Sequence, residues 1–123
     1  MCSTKTTESE DGRMRVILES PYAGKTPAER EANIAYARAA MRDCLLRGES
    51  PFASHLLYTQ PGVLDDDIPE ERTHGITAGF AFRCVCAKTV VYKDRGISRG
   101  MEAGIRHAEQ LGHVIEYRIL ELA

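Results

Sequence analysis

The sequence lacks the features that mark membrane-spanning, secreted and nucleic-acid-binding proteins. Its longest apolar stretches run to about seven residues, far short of the roughly 20 that a membrane-spanning helix needs. The chain does not open with a charged segment, an apolar run and a cleavage site, so we expect a cytoplasmic protein with no membrane contact. Its 16 lysines and arginines are outnumbered by 18 aspartates and glutamates, and a net charge of −2 argues against binding a nucleic acid polymer.

Cysteine is also scarce, and its spacing does not suit a zinc site. The four cysteines are Cys2, Cys44, Cys84 and Cys86. Zinc sites usually separate two thiolates by roughly two to four residues and supply a second pair elsewhere, whereas Cys84 and Cys86 are separated by one. We therefore predict reduced, buried structural thiols, no metal and no cofactor.

What the sequence does contain is typical of one globular domain. Its 123 residues are 43% hydrophobic and 28% charged, and a chain of this length can bury its own core. Residues 1–13 are rich in serine, threonine and glutamate without apolar periodicity, so we predict a flexible polar leader. Residues 14–123 form the predicted single domain.

From Met14 onward, strand-like and helix-like segments alternate. Apolar runs predict strands at residues 15–19, 51–54, 89–92 and 114–117. Helices are predicted from the capping box at Thr26 to Gly48, from about Asp67, and from Ser98 to Leu111. This order predicts an α/β protein, with a small doubly wound, Rossmann-like parallel sheet of four to five strands flanked by helices.

A sheet of this kind binds ligands outside the carboxyl ends of its strands. The loops at that edge are residues 20–26, 55–67 and 93–100. The second loop contains the acidic run Asp65-Asp66-Asp67. This run is either a solvated turn with a helix cap or a source of ligand-binding carboxylates.

The first and third loops carry the clearest functional signals. In Ser20-Pro21-Tyr22-Ala23-Gly24, Gly24 would allow a close backbone approach to a ligand, and Tyr22 could stack on a base or sugar. In the third loop, Ser98 and Gly100 at a helix entrance would form an anion site from backbone amides and a hydroxyl. Glu102 follows one turn inside that helix, where it either stabilises the helix dipole or acts on a bound sugar.

The segment Ser98-Arg-Gly-Met-Glu-Ala-Gly104 resembles the stretch of nucleoside 2-deoxyribosyltransferases and 2'-deoxynucleoside 5'-monophosphate N-glycosidases that holds their nucleophilic glutamate. Glu102 matches that glutamate, and Ser98 and Gly100 match the phosphate-side turn. The first loop, Asn33 and Gly48 resemble the small, often phage-encoded relatives of these enzymes. The resemblance covers most of residues 14–118. It departs before the third strand, where Ala87 or Lys88 stands in place of a frequent aspartate.

The resemblance implies a set of roles. Glu102 would attack the anomeric carbon and displace the base, Asp94 would orient a sugar hydroxyl, and Tyr22 would position the ring. His55 is a candidate for protonating the leaving base, while His74, His107 and His113 are predicted at the surface. Arg95 and Arg99 would either contact a phosphate or be solvated. The predicted substrate-binding residues are Ser20, Pro21, Gly24, Asn33, His55, Arg95, Gly96, Ser98, Arg99 and Gly100.

Three functions remain open from the sequence. The first is cleavage or transfer at the N-glycosidic bond of a small-molecule nucleotide or nucleoside. The second is a protein of the same fold that binds and sequesters a nucleotide-derived signal without cleaving it. The third is a structural module with a vestigial site. The alanine-rich first helix could provide a flat packing surface, so we also predict a homodimer or larger assembly.

Overall fold

The computed structural model describes residues 12–120, and most of the predicted leader lies outside this range. The strands are β1 (Met14–Glu19), β2 (Glu49–Phe52), β3 (Lys88–Tyr92) and β4 (Val114–Arg118). The helices are α1 (Pro27–Leu46), α2 (Ser54–Leu57), α3 (Pro69–Arg83) and α4 (Arg99–Gln110). Along the chain, α1 joins β1 to β2, α2 and α3 lie between β2 and β3, and α4 joins β3 to β4.

The four strands form one parallel sheet in the order β2-β1-β3-β4, which confirms the predicted fold class. The chain leaves β1 towards β2 on one side and leaves β3 towards β4 on the other. Right-handed crossovers in opposite directions bring helices to both faces of the sheet. The strand order reverses between β1 and β3, and ligands of doubly wound sheets bind at the carboxyl end of such a reversal.

The hydrophobic core lies under α1. Val16 and Leu18 of β1 and Val90 and Tyr92 of β3 point to the same face, because side chains alternate along a strand. They pack against one face of α1. The α1 members of this core are Tyr36, Ala40 and Cys44.

A buried ionic network lies at the edge of the same core. The Arg118 guanidinium donates to both Glu49 carboxylate oxygens, at 2.8 and 2.6 Å, and to the Tyr92 hydroxyl at 3.0 Å. Arg118 and Lys88 together lower the pKa of Glu116 to about 2. Removing one member would leave a buried charge unpaired, so this network ties β4 to the start of β2.

Local signals predicted most element boundaries. Thr26 caps α1 by accepting from the Glu29 amide at 3.1 Å, and Ser98 caps α4 by accepting from the Met101 amide at 3.3 Å. The second strand differs, since it spans Glu49–Phe52 rather than 51–54, and His55 lies on the short α2 rather than in a loop. Pairing with β1 sets these limits, because Met14 aligns with Glu49 and Ile17 with Phe52.

Three cysteines fall within the described residues, and all are free thiols. Cys44 and Cys86 are buried, as predicted, and burial raises the pKa of both to about 11. Cys84 is half-buried. Across residues 12–120, no helix is both long and apolar enough to cross a membrane, and no three His, Cys, Asp or Glu side chains converge as a metal site requires.

Candidate functional site

A cavity of about 570 Å³ opens at the carboxyl edge of the sheet, where the strand order reverses. The three loops predicted to meet at this edge all contribute to it, and α3 forms a further wall that the sequence did not indicate. The volume falls within the range of roughly 300–1,000 Å³ typical of small-molecule sites. Four aromatic side chains line it, namely Tyr22, Phe52, Tyr58 and Phe80.

Six of the predicted site residues line this cavity. They are Ser20, Tyr22, His55, Ser98, Arg99 and Gly100. The other predicted site residues, discussed below, lie outside its lining. The sequence therefore indicated the loops correctly but only part of the lining.

Glu102, the predicted nucleophile, is among the residues that the structure does not bring into the cavity. The buried face of α4 carries Met101, Gly104 and Ala108, whereas Glu102 is exposed. Consecutive helical residues are about 100° apart around the axis, so a residue next to Met101 points away from the buried face. Glu102 lies in the first turn of α4, where a carboxylate stabilises the helix dipole. Its catalytic role stays a prediction.

Glu19, which the sequence interpretation passed over, supplies a carboxylate to the cavity. It is the last residue of β1, and its Oε2 accepts a hydrogen bond from Arg83 Nη2 at 2.5 Å. Burial raises the pKa of Glu19 to about 7, against the lowering effect of Arg83. A carboxyl that titrates near neutral pH inside a cavity is a typical candidate for catalysis. The sequence signal that could have identified Glu19 as a site residue is its position as a charged residue at the end of an apolar strand.

Gly104 provides the space for this carboxylate. A side-chain carbon at position 104 would lie 2.1 Å from Glu19 Oε2 and 2.6 Å from Glu19 Cδ, well inside van der Waals contact. The carboxylate therefore packs directly against the backbone of α4. Only glycine leaves this slot open.

Arg83 holds Glu19 from the end of α3. Its side chain is almost fully buried, and besides Glu19 it contacts Thr89 Oγ1 at 3.2 Å and His107 Nδ1 at 2.8 Å. The His107 ring stacks on Phe80 with ring centroids 4.1 Å apart. His107 was predicted at the surface, but it is half-buried in this network, and burial together with Arg83 lowers its pKa.

His113 also differs from the surface prediction. It is half-buried, with Nδ1 at 2.9 Å from Thr89 Oγ1 and Nε2 at 2.7 Å from the Cys86 carbonyl oxygen. His74, in contrast, is exposed as predicted. Contacts with α3 bury His107, and contacts with β3 and the chain that leads into it bury His113; helical position alone revealed neither.

Ser20 and His55 form a second polar pair in the cavity. Ser20 Oγ and His55 Nε2 are 2.7 Å apart. The imidazole reaches the cavity but is otherwise enclosed by protein, and this desolvation lowers the pKa of His55 to about 4. His55 is therefore neutral at pH 7, which makes it a poor proton donor to a leaving base.

Part of the cavity wall is formed by the start of α4 and by Arg72 of α3. Ser98, Arg99 and Gly100 bring the first turn of α4 to the lining, and Arg72 of α3 lies over it. A side-chain carbon at Gly100 would be 3.7 Å from Arg72 Nη2. The Arg72 guanidinium and a helix N-terminus, both of which can bind an anion, thus meet in one region of the cavity, where Asp66 pairs with Arg72.

The acidic run mostly pairs with arginines of the protein. Asp67 binds Arg30 at 2.6 Å, and Asp66, which lines the cavity, lies 3.4 Å from Arg72. The Asp65 carboxylate accepts from the Asp67 amide at 2.9 Å. These contacts match the interpretation of a turn before α3, with Asp66 as the member that faces the cavity.

Asn33 and Arg95 support the first loop from behind. Asn33 Nδ2 donates to the carbonyl oxygens of Tyr22 and Ala23, at 3.2 and 3.3 Å, and Arg95 Nε donates to Asn33 Oδ1 at 2.9 Å. Neither side chain lines the cavity. Both residues were predicted to bind substrate, whereas their contacts position the loop that carries Tyr22.

The remaining predicted site residues shape the backbone. Asp94 accepts from Tyr36 and from the Leu120 amide, the latter at 2.9 Å, which fixes the chain after β4. Gly24 packs on the first turn of α1, where a side-chain carbon would lie 2.6 Å from Glu29 Cβ. Gly96 has a φ of 86° in the turn after β3, and Pro21 is buried. None of these four residues lines the cavity.

Comparison with known proteins assigns the chain to a family. The family model described as "Domain of unknown function (DUF7768)" matches residues 14–118, and the chain belongs to that family. No curated protein and no solved structure matches the chain. The matched range contains all four strands and every residue that lines the cavity.

Proposed function

We propose that this member of the DUF7768 family binds a nucleoside or nucleoside monophosphate at the carboxyl edge of its sheet and cleaves the N-glycosidic bond through Glu19. The observation that carries the proposal is a carboxylate with a pKa near 7, held by Arg83 inside a ligand-sized cavity. The proposal keeps the reaction that the sequence resemblance implies. It transfers the role of nucleophile from Glu102 to Glu19.

The shape and lining of the cavity suit a base attached to a sugar. A volume of about 570 Å³ accommodates a nucleoside, and aromatic side chains offer the flat surfaces on which a base stacks. Tyr22 is one such side chain, and Arg30 covers its ring at 5.4 Å from the centroid. The Asn33 and Arg95 contacts behind this loop would hold Tyr22 ready for stacking.

The cavity wall formed by Arg72 and the start of α4 suits a phosphate on that sugar. Arg72 and Arg99 can each form charge-assisted hydrogen bonds, and the first turn of α4 directs backbone amides to the same region. A phosphate there would compete with Asp66 for Arg72, whose present contact of 3.4 Å is long. The proposal therefore favours nucleoside monophosphates over free nucleosides.

The chemistry follows the two-step logic of retaining glycosidases. Within residues 12–120, Arg83 at Oε2 is the sole side-chain hydrogen-bond partner of Glu19, so Oε1 remains available to a ligand. Oε1 would attack the anomeric carbon as the carbon–nitrogen bond breaks, and the base would leave with the bonding electrons and take a proton from water. Water would then hydrolyse the glycosyl ester, releasing the sugar and restoring the Glu19 carboxylate.

The experiment compares glutamine substitutions at the two candidate nucleophiles, Glu19 and Glu102. Glu19→Gln should reduce base release, followed by chromatography, by at least about a thousandfold while nucleotide binding persists. Glu102→Gln is the matched control, since it removes an exposed carboxylate from α4, and it should leave the rate within about twofold. Loss of activity in Glu102→Gln with retention in Glu19→Gln would return the nucleophile to Glu102.

The pH dependence of the wild-type rate tests the role of Glu19 separately. A nucleophile must be ionised, so kcat should rise with pH through about 7 and then level off. A rate that falls above pH 7 would instead make Glu19 a general acid. Glu19→Gln should abolish the inflection in either case.

Capture without cleavage is the second candidate function. The observation that favours it is the exposure of Glu102, because the residue that matches the nucleophilic glutamate of the deoxyribosyltransferases in the sequence resemblance lies outside the cavity. Mass spectrometry of the filtrate separates the two functions, using a panel of nucleosides, nucleotides and cyclic or ADP-ribose-type signals. Free base indicates cleavage, whereas a nucleotide that disappears from the filtrate and returns intact after heat denaturation indicates capture.

A further inference from the structure

We propose that Ser20 and His55 form a neutral hydrogen-bonding pair that recognises the sugar 2'-hydroxyl, so that the cavity selects ribonucleotides over 2'-deoxyribonucleotides. This inference rests on the proposed function, because it names the sugar that the Glu19 site accepts. It departs from the deoxyribosyl substrates that the sequence resemblance implies.

The hydrogen-bond inventory of the pair leaves one position open. Ser20 is 5% exposed, and within the described residues its Oγ has a single side-chain partner, His55 Nε2 at 2.7 Å. A serine hydroxyl has one donor and two acceptor positions. Whichever nitrogen of His55 carries the proton, Ser20 Oγ keeps at least one position for another partner, and the cavity is the space beside it.

The chemistry of the pair favours a hydroxyl partner. If Ser20 donates to the imidazole, its oxygen can accept from a ligand, and if the imidazole donates, Ser20 can donate to a ligand. A hydroxyl group suits both arrangements, whereas a phosphate can only accept. The pair is neutral at pH 7, since His55 has a pKa of about 4, and it therefore offers no charge to attract an anion.

The position of the pair in the cavity indicates that its partner is the 2'-hydroxyl of the sugar. Ser20 directly follows Glu19 in the chain, and both residues line the cavity. In the proposed binding mode, Glu19 meets the anomeric carbon, and Ser20, its neighbour in the chain, meets the substituents of the next carbon, C2'. A 2'-deoxy sugar would leave Ser20 Oγ enclosed without its second partner, which costs more than the bond itself contributes.

The test measures affinity by titration calorimetry for the four common ribonucleoside 5'-monophosphates and their 2'-deoxy counterparts. The Glu19→Gln variant serves as the host, so that cleavage does not deplete the ligand. For the base that binds, the ribonucleotide should bind about 10- to 100-fold more tightly than its 2'-deoxy form. KM values of the wild-type protein should show the same order.

Substitutions then assign the preference to the pair. Adding Ser20→Ala should bring the ratio of the ribonucleotide and 2'-deoxyribonucleotide affinities close to one, mainly by weakening the binding of the ribonucleotide. Thr59→Val is the matched control, because Thr59 also lines the cavity but its hydroxyl already donates to the His55 carbonyl oxygen at 2.6 Å. That variant should keep the ratio of the host protein.

Failure of this inference can be told apart from failure of the proposed function. Equal binding of both sugar forms, or a preference that survives Ser20→Ala, would overturn the inference about the sugar. In that case, base release by the wild type would still support the proposed function. If no nucleotide of either series bound or reacted, both would be rejected.

Discussion

Replacing Gly104 with alanine should displace the Glu19 carboxylate from α4. The added carbon would lie 2.1 Å from Glu19 Oε2, whereas ordinary van der Waals contact begins at 3.4 Å. The carboxylate, or the helix, must therefore move by about 1.3 Å or more. The hydrogen bond of 2.5 Å between Glu19 and Arg83 cannot survive such a shift unless Arg83 moves as well.

The energetic cost follows from the burial of Arg83. Its side chain is 2% exposed, and separating a buried ion pair costs about 3–5 kcal/mol. Alanine is more favourable than glycine inside a helix by about 1 kcal/mol, which offsets part of this cost. We expect Gly104→Ala to lower the free energy of unfolding by about 2–4 kcal/mol.

Urea denaturation measures this change, and NMR titration of the Glu19 carboxyl carbon reports its surroundings. The titration near pH 7 should disappear in Gly104→Ala as the carboxyl reaches solvent. Gly100→Ala is the control, since it lies on the same helix and its added carbon would meet nothing nearer than 3.7 Å. It should be at least as stable as the wild type, by up to about 1 kcal/mol.

A compensating variant makes the argument specific. Glu19→Asp withdraws the carboxylate by about 1.5 Å, so it should restore part of the stability that Gly104→Ala removes. The steric reasoning is wrong if Gly104→Ala is as stable as Gly100→Ala and its Glu19 still titrates near pH 7.

Two further predictions concern pH and association. Between pH 4.5 and 7 the folded protein keeps a proton on Glu19 that the unfolded chain has lost, so the Glu19 contribution to stability falls as pH rises. Between pH 4 and 6.5 the unfolded chain holds a proton on His55 that the folded protein has lost, so the His55 contribution to stability rises with pH. The difference in the free energy of unfolding between variant and wild type should therefore increase with pH in Glu19→Gln and decrease with pH in His55→Gln, each by about 1 kcal/mol per pH unit. Parallel curves of unfolding free energy against pH for all three proteins would contradict this assignment. The predicted dimer should appear in light scattering at micromolar concentration, and a monomer there would reject it.

The sequence by itself determined the four strands, the three longer helices and their order, but not the short α2. Capping residues such as Thr26 and Ser98 satisfy the amides of their own helix, so their effect is local and readable from a few neighbouring residues. Short apolar runs that alternate with these helices restrict the topology to a parallel sheet. The carboxyl edge, and with it the loops that line the cavity, followed from that topology.

Only the tertiary structure decided which side chains enter the cavity. Glu19 and Arg83 are 64 residues apart in the chain, and no spacing rule connects the end of a strand to the end of a helix four elements further along. The rotation of α4 about its axis, which turns Gly104 towards Glu19 and Glu102 towards solvent, is set by packing against the sheet. Short motifs identify residue types, whereas the face that each residue presents depends on the neighbours that bury it, and those neighbours come from distant parts of the chain.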